Sequence, residues 1–338
     1  TGRSGLRQGT VLRHLMTGVA RHVPVVIIGG GPSGLTAGIY CGRAGLTPII
    51  AAGSVSGTLM PGGQLMITTE VSNFPGFPND VTGSDLIERM FEQAKRFDCE
   101  VIEEFVTEVK LQNGGPQNVL IGGNWVSCDA LILANGARAR WMNAPGESVF
   151  VNRGISACAT CDGPLPLFRG KHIFVVGGGD SACEEAIFLT KFASKVSIIH
   201  RRDKLRASKA MATRALENPK IEVLWNTSIV SYVGDQTLSG IVLENVITNE
   251  QYTVEAGGLF MAIGHDPNTA YLKGSGVELD DAGYIKVHNG VFTSIDGVFA
   301  SGDCHDKVFR QAITAAGFGC MAAISAERWL EERPQTHK

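Results

Sequence analysis

Residues 23–34 read VPVVIIGGGPSG, an apolar, largely β-branched run that ends in Gly29-x-Gly31-x-x-Gly34 and passes into the helical pattern LTAGIYCGRAG. A buried strand, a tight glycine turn and a helix, in that order, are the context in which this spacing reads as a dinucleotide-binding fingerprint. Glycines at 29, 30, 31 and 34, with Pro32 and Ser33 between them, let the backbone come close to a pyrophosphate. The free N–H groups and positive dipole end of the following helix complement its charge. Without that strand and helix the same glycines would mark an ordinary turn.

A second copy follows about one domain length later. Residues 171–182 read KHIFVVGGGDSA, with Gly177-Gly178-Gly179 followed by Asp180, Ser181 and Ala182, and open the helical pattern CEEAIFLTKFA. Two fingerprints in one chain imply two nucleotide sites, and the fold class expected is α/β with two doubly wound dinucleotide-binding domains. What comes next separates the ligands. After the second turn the strand KVSIIH runs into Arg201, Arg202, Asp203, Lys204, Leu205 and Arg206. A carboxylate at that strand end would hold an unphosphorylated ribose, whereas clustered arginines suit a 2′-phosphate, so this site is expected to take NADPH. A solvated basic loop is the plainer reading. The equivalent strand end after the first turn, TPIIAAGS, has neither acid nor base, so the first nucleotide needs other contacts. One candidate is GVFASGDC (297–304), a short apolar strand ending in Gly302-Asp303 before KVFRQAITAAGFGCMAAISAERWL, which is expected to be one long amphipathic helix. That carboxylate can face a flavin's ribityl chain, although Gly-Asp is also an ordinary turn.

Composition bounds the remaining choices. The chain has 338 residues, 44% hydrophobic and 19% charged, long enough for two cores and far from a disordered or fibrous balance. A net charge of −3 gives no basic surface for nucleic acid. No apolar run has the length of a membrane span. Eight cysteines, at 41, 99, 128, 158, 161, 183, 304 and 320, are too sparse for a secreted disulfide scaffold, so a reducing compartment, the cytoplasm, is expected. Residues 1–22 carry arginines at 3, 7, 13 and 21, and no acidic residue precedes Glu70. Residues 1–15 are read as an appended leader or upstream extension with the functional chain starting near Met16; an organelle-targeting signal is the other reading.

The stretches GGGPSG, PGGQL (61–65), TTEVSNFPGFP (68–78), ACATCDG (157–163), GGGDSACEEA (177–186), HRRDKLRAS (200–208), AIGHDPNT (262–269), GYIKV (283–287) and FRQAITAAGFGCMAA (309–323) occur in one order over nearly everything after residue 22. Together they closely resemble the low-molecular-weight thioredoxin reductases, homodimeric flavoproteins that use FAD and NADPH. The resemblance implies an FAD domain of residues 16–137 and 264–338, with an NADPH domain of residues 138–263 inserted in it. The chain would cross between them at LANGARARW (133–141) and AIGHDPN (262–268), and in the family the inserted domain rotates during turnover. By position, FAD contacts fall on Gly30, Gly31, Pro32, Ser33, Gln64, Asn73, Val106, Asp303, Arg310, Gln311 and Ala312. NADPH contacts fall on Gly177 to Asp180, Ser181, Arg201, Arg202 and Arg206. The sequence departs from the pattern at Asn135, where Thr is usual, at Phe309, where Tyr is usual, and at Cys304, where an aliphatic residue is common; Cys304 reads as a buried, inert thiol.

The stretch GISACATCDGP (154–164) holds the only closely spaced cysteine pair. Structural zinc needs four ligands, and there is neither a second CxxC nor a matched histidine pair, so no metal is expected. A disulfide closing so short a loop is a poor staple. With flavin and NADPH implied, Cys158 and Cys161 read as a redox-active disulfide that reduces thioredoxin, Cys161 nearer the flavin and Cys158 attacking the partner. Asp162 is read as the acid/base that carries the thiol proton, the plainer reading being a cap on the turn at Gly163-Pro164. Two rival functions remain: a related dithiol oxidase, which has no need of NADPH, and a flavin-binding redox sensor without turnover.

Overall fold

The computed structural model describes residues 21–55, 60–68 and 70–333. Residues 1–15 and Met16 lie outside the described residues. The chain forms two compact units. The first comprises the chain up to Ile67, Thr82–Ala137 and Pro267 onward, and the second Thr68–Val81 and Arg138–Asp266.

In chain order the first unit opens with β1 (Arg21–Ile28), α1 (Pro32–Arg43), β2 (Ile49–Ala51), α2 (Gly83–Arg96), β3 (Glu100–Ile102), β4 (Val106–Lys110), β5 (Gln117–Ile121) and β6 (Asn124–Leu133). Proline starts α1 at a position whose N–H would have no partner in any case. Thr82 caps α2 by accepting from the Asp85 N–H at 3.1 Å, with Asp85 in the first turn and Lys95 and Arg96 in the last, each complementing the helix dipole. The sheet runs β3-β2-β1-β6-β5-β4, with β1, β2, β3 and β6 parallel and β4 and β5 antiparallel.

The chain then passes through β7 (Ala137–Ala139) into α3 (Glu147–Phe150), β8 (Ile155–Ser156), α4 (Ala159–Asp162), β9 (His172–Gly177), α5 (Asp180–Leu189), β10 (Lys195–Ile199), α6 (Lys209–Leu216), β11 (Ile221–Leu224), β12 (Thr227–Gly234), β13 (Leu238–Asn245), β14 (Gln251–Glu255) and β15 (Gly258–Ala262). Strands β11-β10-β9-β15-β8 make an all-parallel sheet, and β12-β13-β14 an antiparallel one. The run HIFVVG is buried at its four central positions, as a strand covered on both faces must be. It returns through β16 (His265–Pro267), which pairs with β7, and ends with β17 (Val298–Ala300) and α7 (Ala312–Glu332). Strand β17 extends the first sheet by pairing in parallel with the second half of β6.

Both units are therefore doubly wound α/β folds, each carrying an antiparallel three-stranded element. Each unit has its own core. Ile27, Ile49, Ile50, Leu131, Ile132 and Leu133 are fully buried in the first, and Phe174 and Phe260 in the second. Each such side chain contributes roughly 1.5–3 kcal/mol relative to leaving it exposed.

One expectation fails in detail. The final helix does not begin at Lys307: it starts at Ala312. The buried carboxylate of Asp306 accepts from the N–H groups of Val308 (2.9 Å), Phe309 (3.0 Å) and Arg310 (3.3 Å), folding residues 307–311 into a loop. Arg310 has φ 48°, which no helix accommodates. Gln311 and Thr314 then form a capping box that begins α7.

The crossing segments are tied to each other. Arg140 donates through Nε and Nη2 to Asp266 Oδ1 at 2.8 and 2.6 Å, and holds that carboxyl below its usual range. Asn135 and Asn268 each donate a side-chain amide to the other's carbonyl, at 2.7 and 2.8 Å, and Tyr271 donates its hydroxyl to Asn135 Oδ1. The amide at position 135 is thus committed to the return segment.

Candidate active site and nucleotide sites

Cys158 and Cys161 are joined in a disulfide, their Cα atoms 5.3 Å apart, around the first turn of the short helix α4. The Cys161 N–H donates to Cys158 Sγ at 3.2 Å. Asp162 closes that helix. Its carboxyl is not spent on the turn that follows: Oδ2 accepts from the hydroxyl of Ser156 at 2.5 Å. Burial pushes the Asp162 carboxyl above the usual carboxylate range, and the Ser156 hydrogen bond works against that rise. Ser156 Oγ also accepts from the Cys158 N–H at 3.0 Å. Sequence reasoning missed Ser156; the sole signal was its i, i+2 position before Cys158 on a strand.

The second glycine turn lies in the same unit. Gly179 caps α5 in extended conformation, with open space where a Cβ would stand. The arginine loop folds back onto this turn. The N–H groups of Arg206 and Ala207 donate to the Gly178 carbonyl at 2.6 and 3.1 Å. The buried ring of His200 bridges the carbonyls of Gly177 and Lys204 through Nδ1 (2.8 Å) and Nε2 (2.9 Å). A Cβ on Gly178 would lie 2.2 Å from that ring, so only glycine permits the bridge. Arg201, Arg202 and Arg206 keep exposed side chains around it. Asp180 accepts both the N–H and the hydroxyl of Ser208 at 2.8 Å, tying the turn to the cap of α6; Ser181 is exposed beside it. The bridging role of His200 was also missed, since a histidine at a strand end carries no pattern of its own.

The first glycine turn belongs to the other unit. Gly29 has φ 122°, and a Cβ there would lie 2.1 Å from the Ala134 carbonyl, so the turn follows β1 only because position 29 has no side chain. Gly30, Gly31, Pro32, Ser33 and Gly34 lead into α1, and Gly31 lies near the Gly62 carbonyl that precedes Gln64 in the 3₁₀ turn Gly63–Ile67. Ser33 Oγ and Ser301 Oγ share a buried 2.6 Å hydrogen bond, which brings the turn to the end of β17. Gly302 follows, packed against Ser33, and then Asp303. Asp303 Oδ1 is buried with no hydrogen-bond partner, and burial, with Asp306 adding to it, raises the carboxyl to about 7. Arg310 lies close enough to Asp303 to oppose that rise, and it bonds Tyr284. Gln311 and Ala312 mark the start of α7 and Val106 that of β4. Asn73 falls in the segment Thr68–Val81, which groups with the second unit. Cys304 is fully buried, its thiol pushed up to about 12 and placed 3.3 Å from the carbonyls of Leu133 and Ser301. Among the described residues no group of His, Cys, Asp and Glu could hold a metal ion, and no helix is long and apolar enough to cross a membrane.

A chain with two doubly wound units, a glycine turn in each and a disulfide beside a half-buried carboxyl has the parts of a nucleotide-dependent disulfide oxidoreductase. The model of the pyridine nucleotide-disulphide oxidoreductase family matches residues 23–319. The chain is 50% identical over 313 residues to a thioredoxin reductase of Chlamydia trachomatis, covering 92% of this chain and 99% of that one. It is 49% identical over 319 residues to a thioredoxin reductase of Pneumocystis carinii, covering 93% and 98%. Among solved structures, thioredoxin reductase from Giardia duodenalis superposes with a TM-score of 0.86 at 42% identity, covering 92% and 99%. The chain belongs to the pyridine nucleotide-disulphide oxidoreductase family, in its low-molecular-weight thioredoxin reductase branch.

Proposed function

We propose that this protein is an NADPH-dependent thioredoxin-disulfide reductase, in which an electron pair travels from NADPH through FAD to the Cys158–Cys161 disulfide and on to oxidised thioredoxin. The observation that carries this is the disulfide itself, held beside the half-buried Asp162 in the unit that also holds the arginine-flanked glycine turn.

The residues present fit both cofactors. Asp303 offers a buried carboxylate oxygen that lacks a donor, as a ribityl hydroxyl would supply, and we assign FAD to Gly29–Gly34, Gln64, Asn73, Val106, Gly302, Asp303, Arg310, Gln311 and Ala312. The open N-terminus of α5 and three exposed arginines folded against it suit a pyrophosphate and a 2′-phosphate, and we assign NADPH to Gly177–Ser181, Arg201, Arg202 and Arg206. When bound, the two cofactors supply the hydride chemistry by which an electron pair reaches the disulfide.

The chain's own residues handle sulfur and protons. Two electrons and two protons convert the Cys158–Cys161 bond to a dithiol. Cys158 then attacks the partner's disulfide, losing its proton to Asp162, and the partner's S–S bond breaks as the mixed disulfide forms. Asp162 passes that proton to the partner's leaving sulfur. Cys161 then attacks Cys158 as its own proton goes to Asp162, which restores the enzyme disulfide, and the partner's second sulfur takes that proton as the partner leaves as a dithiol. The Cys161 N–H that points at Cys158 Sγ stabilises a thiolate there, which supports Cys158 as the attacking sulfur.

A homodimer is supported by Ile313 and Met321, about two turns apart on α7, and Tyr40 on α1, all exposed and apolar. A reducing compartment, the cytoplasm unless an N-terminal signal directs the chain elsewhere, is supported by six free cysteines, of which five are buried and Cys320 is half-buried. The rival dithiol oxidase would leave Arg201, Arg202 and Arg206 without a ligand. Thioredoxin-dependent NADPH oxidation is the test. Cys161→Ser should abolish it while FAD stays bound; retained activity would refute the pair as the redox centre.

A further inference from the structure

One hydroxyl organises the redox site. Ser156 is the last residue of β8, buried and paired with Phe260 of β15, so it is anchored in the parallel sheet. The helix that carries Cys161 and Asp162 is four residues long, too short to hold its own shape. Its last side chain therefore depends on what it bonds to outside the helix.

The direction of each hydrogen bond follows from the donor inventory. A backbone N–H can only donate, so Ser156 Oγ accepts from Cys158. The serine's single proton is left for Asp162 Oδ2 at 2.5 Å. We propose that Ser156 is the positioning residue of the redox site: its hydroxyl ties the Asp162 carboxyl and the Cys158 backbone to one point of the sheet and directs the carried proton to Asp162 Oδ1. The inference rests on Asp162 being the proton carrier, as above.

Two consequences follow. With Oδ2 occupied by the serine proton, the thiol proton of Cys158 goes to Oδ1 as the sulfur's electron pair bonds to the partner's sulfur and the partner's S–S bond breaks. Ser156 also favours the ionised carboxyl, against the burial that favours the neutral one, so Asp162 can both take and release a proton. Charged side chains on the elements around it are Arg153 before β8 and Asp180, Glu184 and Glu185 on α5; burial, first, and the Ser156 hydrogen bond, against it, set the direction of its shift. The thiols of Cys158 and Cys161, once reduced, are the other titrating groups there.

The test uses the holoenzyme, reduced with one equivalent of NADPH and mixed with oxidised thioredoxin in a stopped-flow instrument from acid to neutral pH. In the native enzyme the rate should fall toward acid as Asp162 becomes protonated, and Asp162→Asn should remove that limb. Ser156→Ala should move the limb to higher pH, lowering the rate at a fixed pH on it about five- to tenfold. Ser156→Thr, which keeps the hydroxyl, should restore it. A limb that Asp162→Asn removes but Ser156→Ala leaves in place overturns the role of Ser156 alone. A limb that survives Asp162→Asn overturns Asp162 as the carrier. If Ser156→Ala does not retain its cofactors, the carboxylic-acid infrared band lost in Asp162→Asn decides the matter in the native enzyme. A hydrogen-bonded frequency agrees with the proposal, and a free-acid frequency contradicts it.

Discussion

Asp303 carries a carboxyl raised from its ordinary 3.8 to about 7, chiefly by burial, with no donor on Oδ1. An acid whose folded value lies above its unfolded value binds more protons in the folded state throughout the interval between them. Its contribution to the apoprotein is therefore complete below about 4 and lost as pH rises through about 7, on the order of 4 kcal/mol over that window. Melting temperatures of the apoprotein should fall across this range, and Asp303→Asn should flatten the fall; an unchanged slope would remove Asp303 as its source. At the arginine loop, Arg201→Ala with Arg202→Ala should raise KM for NADPH at least tenfold while changing KM for NADH little. An equal loss with both would mean these side chains do not read the 2′-phosphate. Residues fixed by local chemistry were legible in the sequence: the glycines, the CxxC pair and the arginine cluster all announce themselves by spacing. Ser156 and the His200 bridge were not, because each acts through a hydrogen bond to a partner that a strand register or a folded-back loop brings near.

At the scale of elements, the packing of α7 on α1 is set by Gly319, whose Cβ, if present, would stand 2.1 Å from the Ser33 carbonyl. That contact holds the first glycine turn against the helix that follows Asp303. Gly319→Ala should destabilise the protein by about 3 kcal/mol and weaken FAD retention with it. Denaturant unfolding monitored together with flavin release checks both, and a variant of native stability that keeps its flavin would show the helices can separate without cost. Both fingerprint strands and helices were readable from periodicity, as were β10 and β17. The start of α7 was not. The helical pattern of apolar residues extends back through Val308, and only the carboxylate of Asp306, which takes three backbone donors, turns that stretch into a loop. Apolar spacing does not register a side chain that competes for backbone N–H groups.

For the whole molecule, two copies of a dinucleotide fold in one chain supply a site for an electron donor and a site for an electron carrier, and the second unit adds the disulfide outlet. The duplication was legible because the two turns share one spacing. The grouping of Thr68–Val81 with the second unit was not, since a single isolated bridge, Val71 to Val81, gives the segment no periodic signature. Sedimentation of the holoenzyme should give a dimer, and replacing Ile313 and Met321 with Ser should shift it toward monomer; a native monomer would contradict that assembly. The flow of electrons through the molecule has the most direct test. Under anaerobic conditions NADPH should bleach the visible absorbance of the bound flavin, and oxidised thioredoxin should restore it in step with the appearance of thioredoxin thiols. Bleaching with no recovery, or no bleaching at all, would contradict the path from NADPH through the flavin and Cys158–Cys161 to thioredoxin.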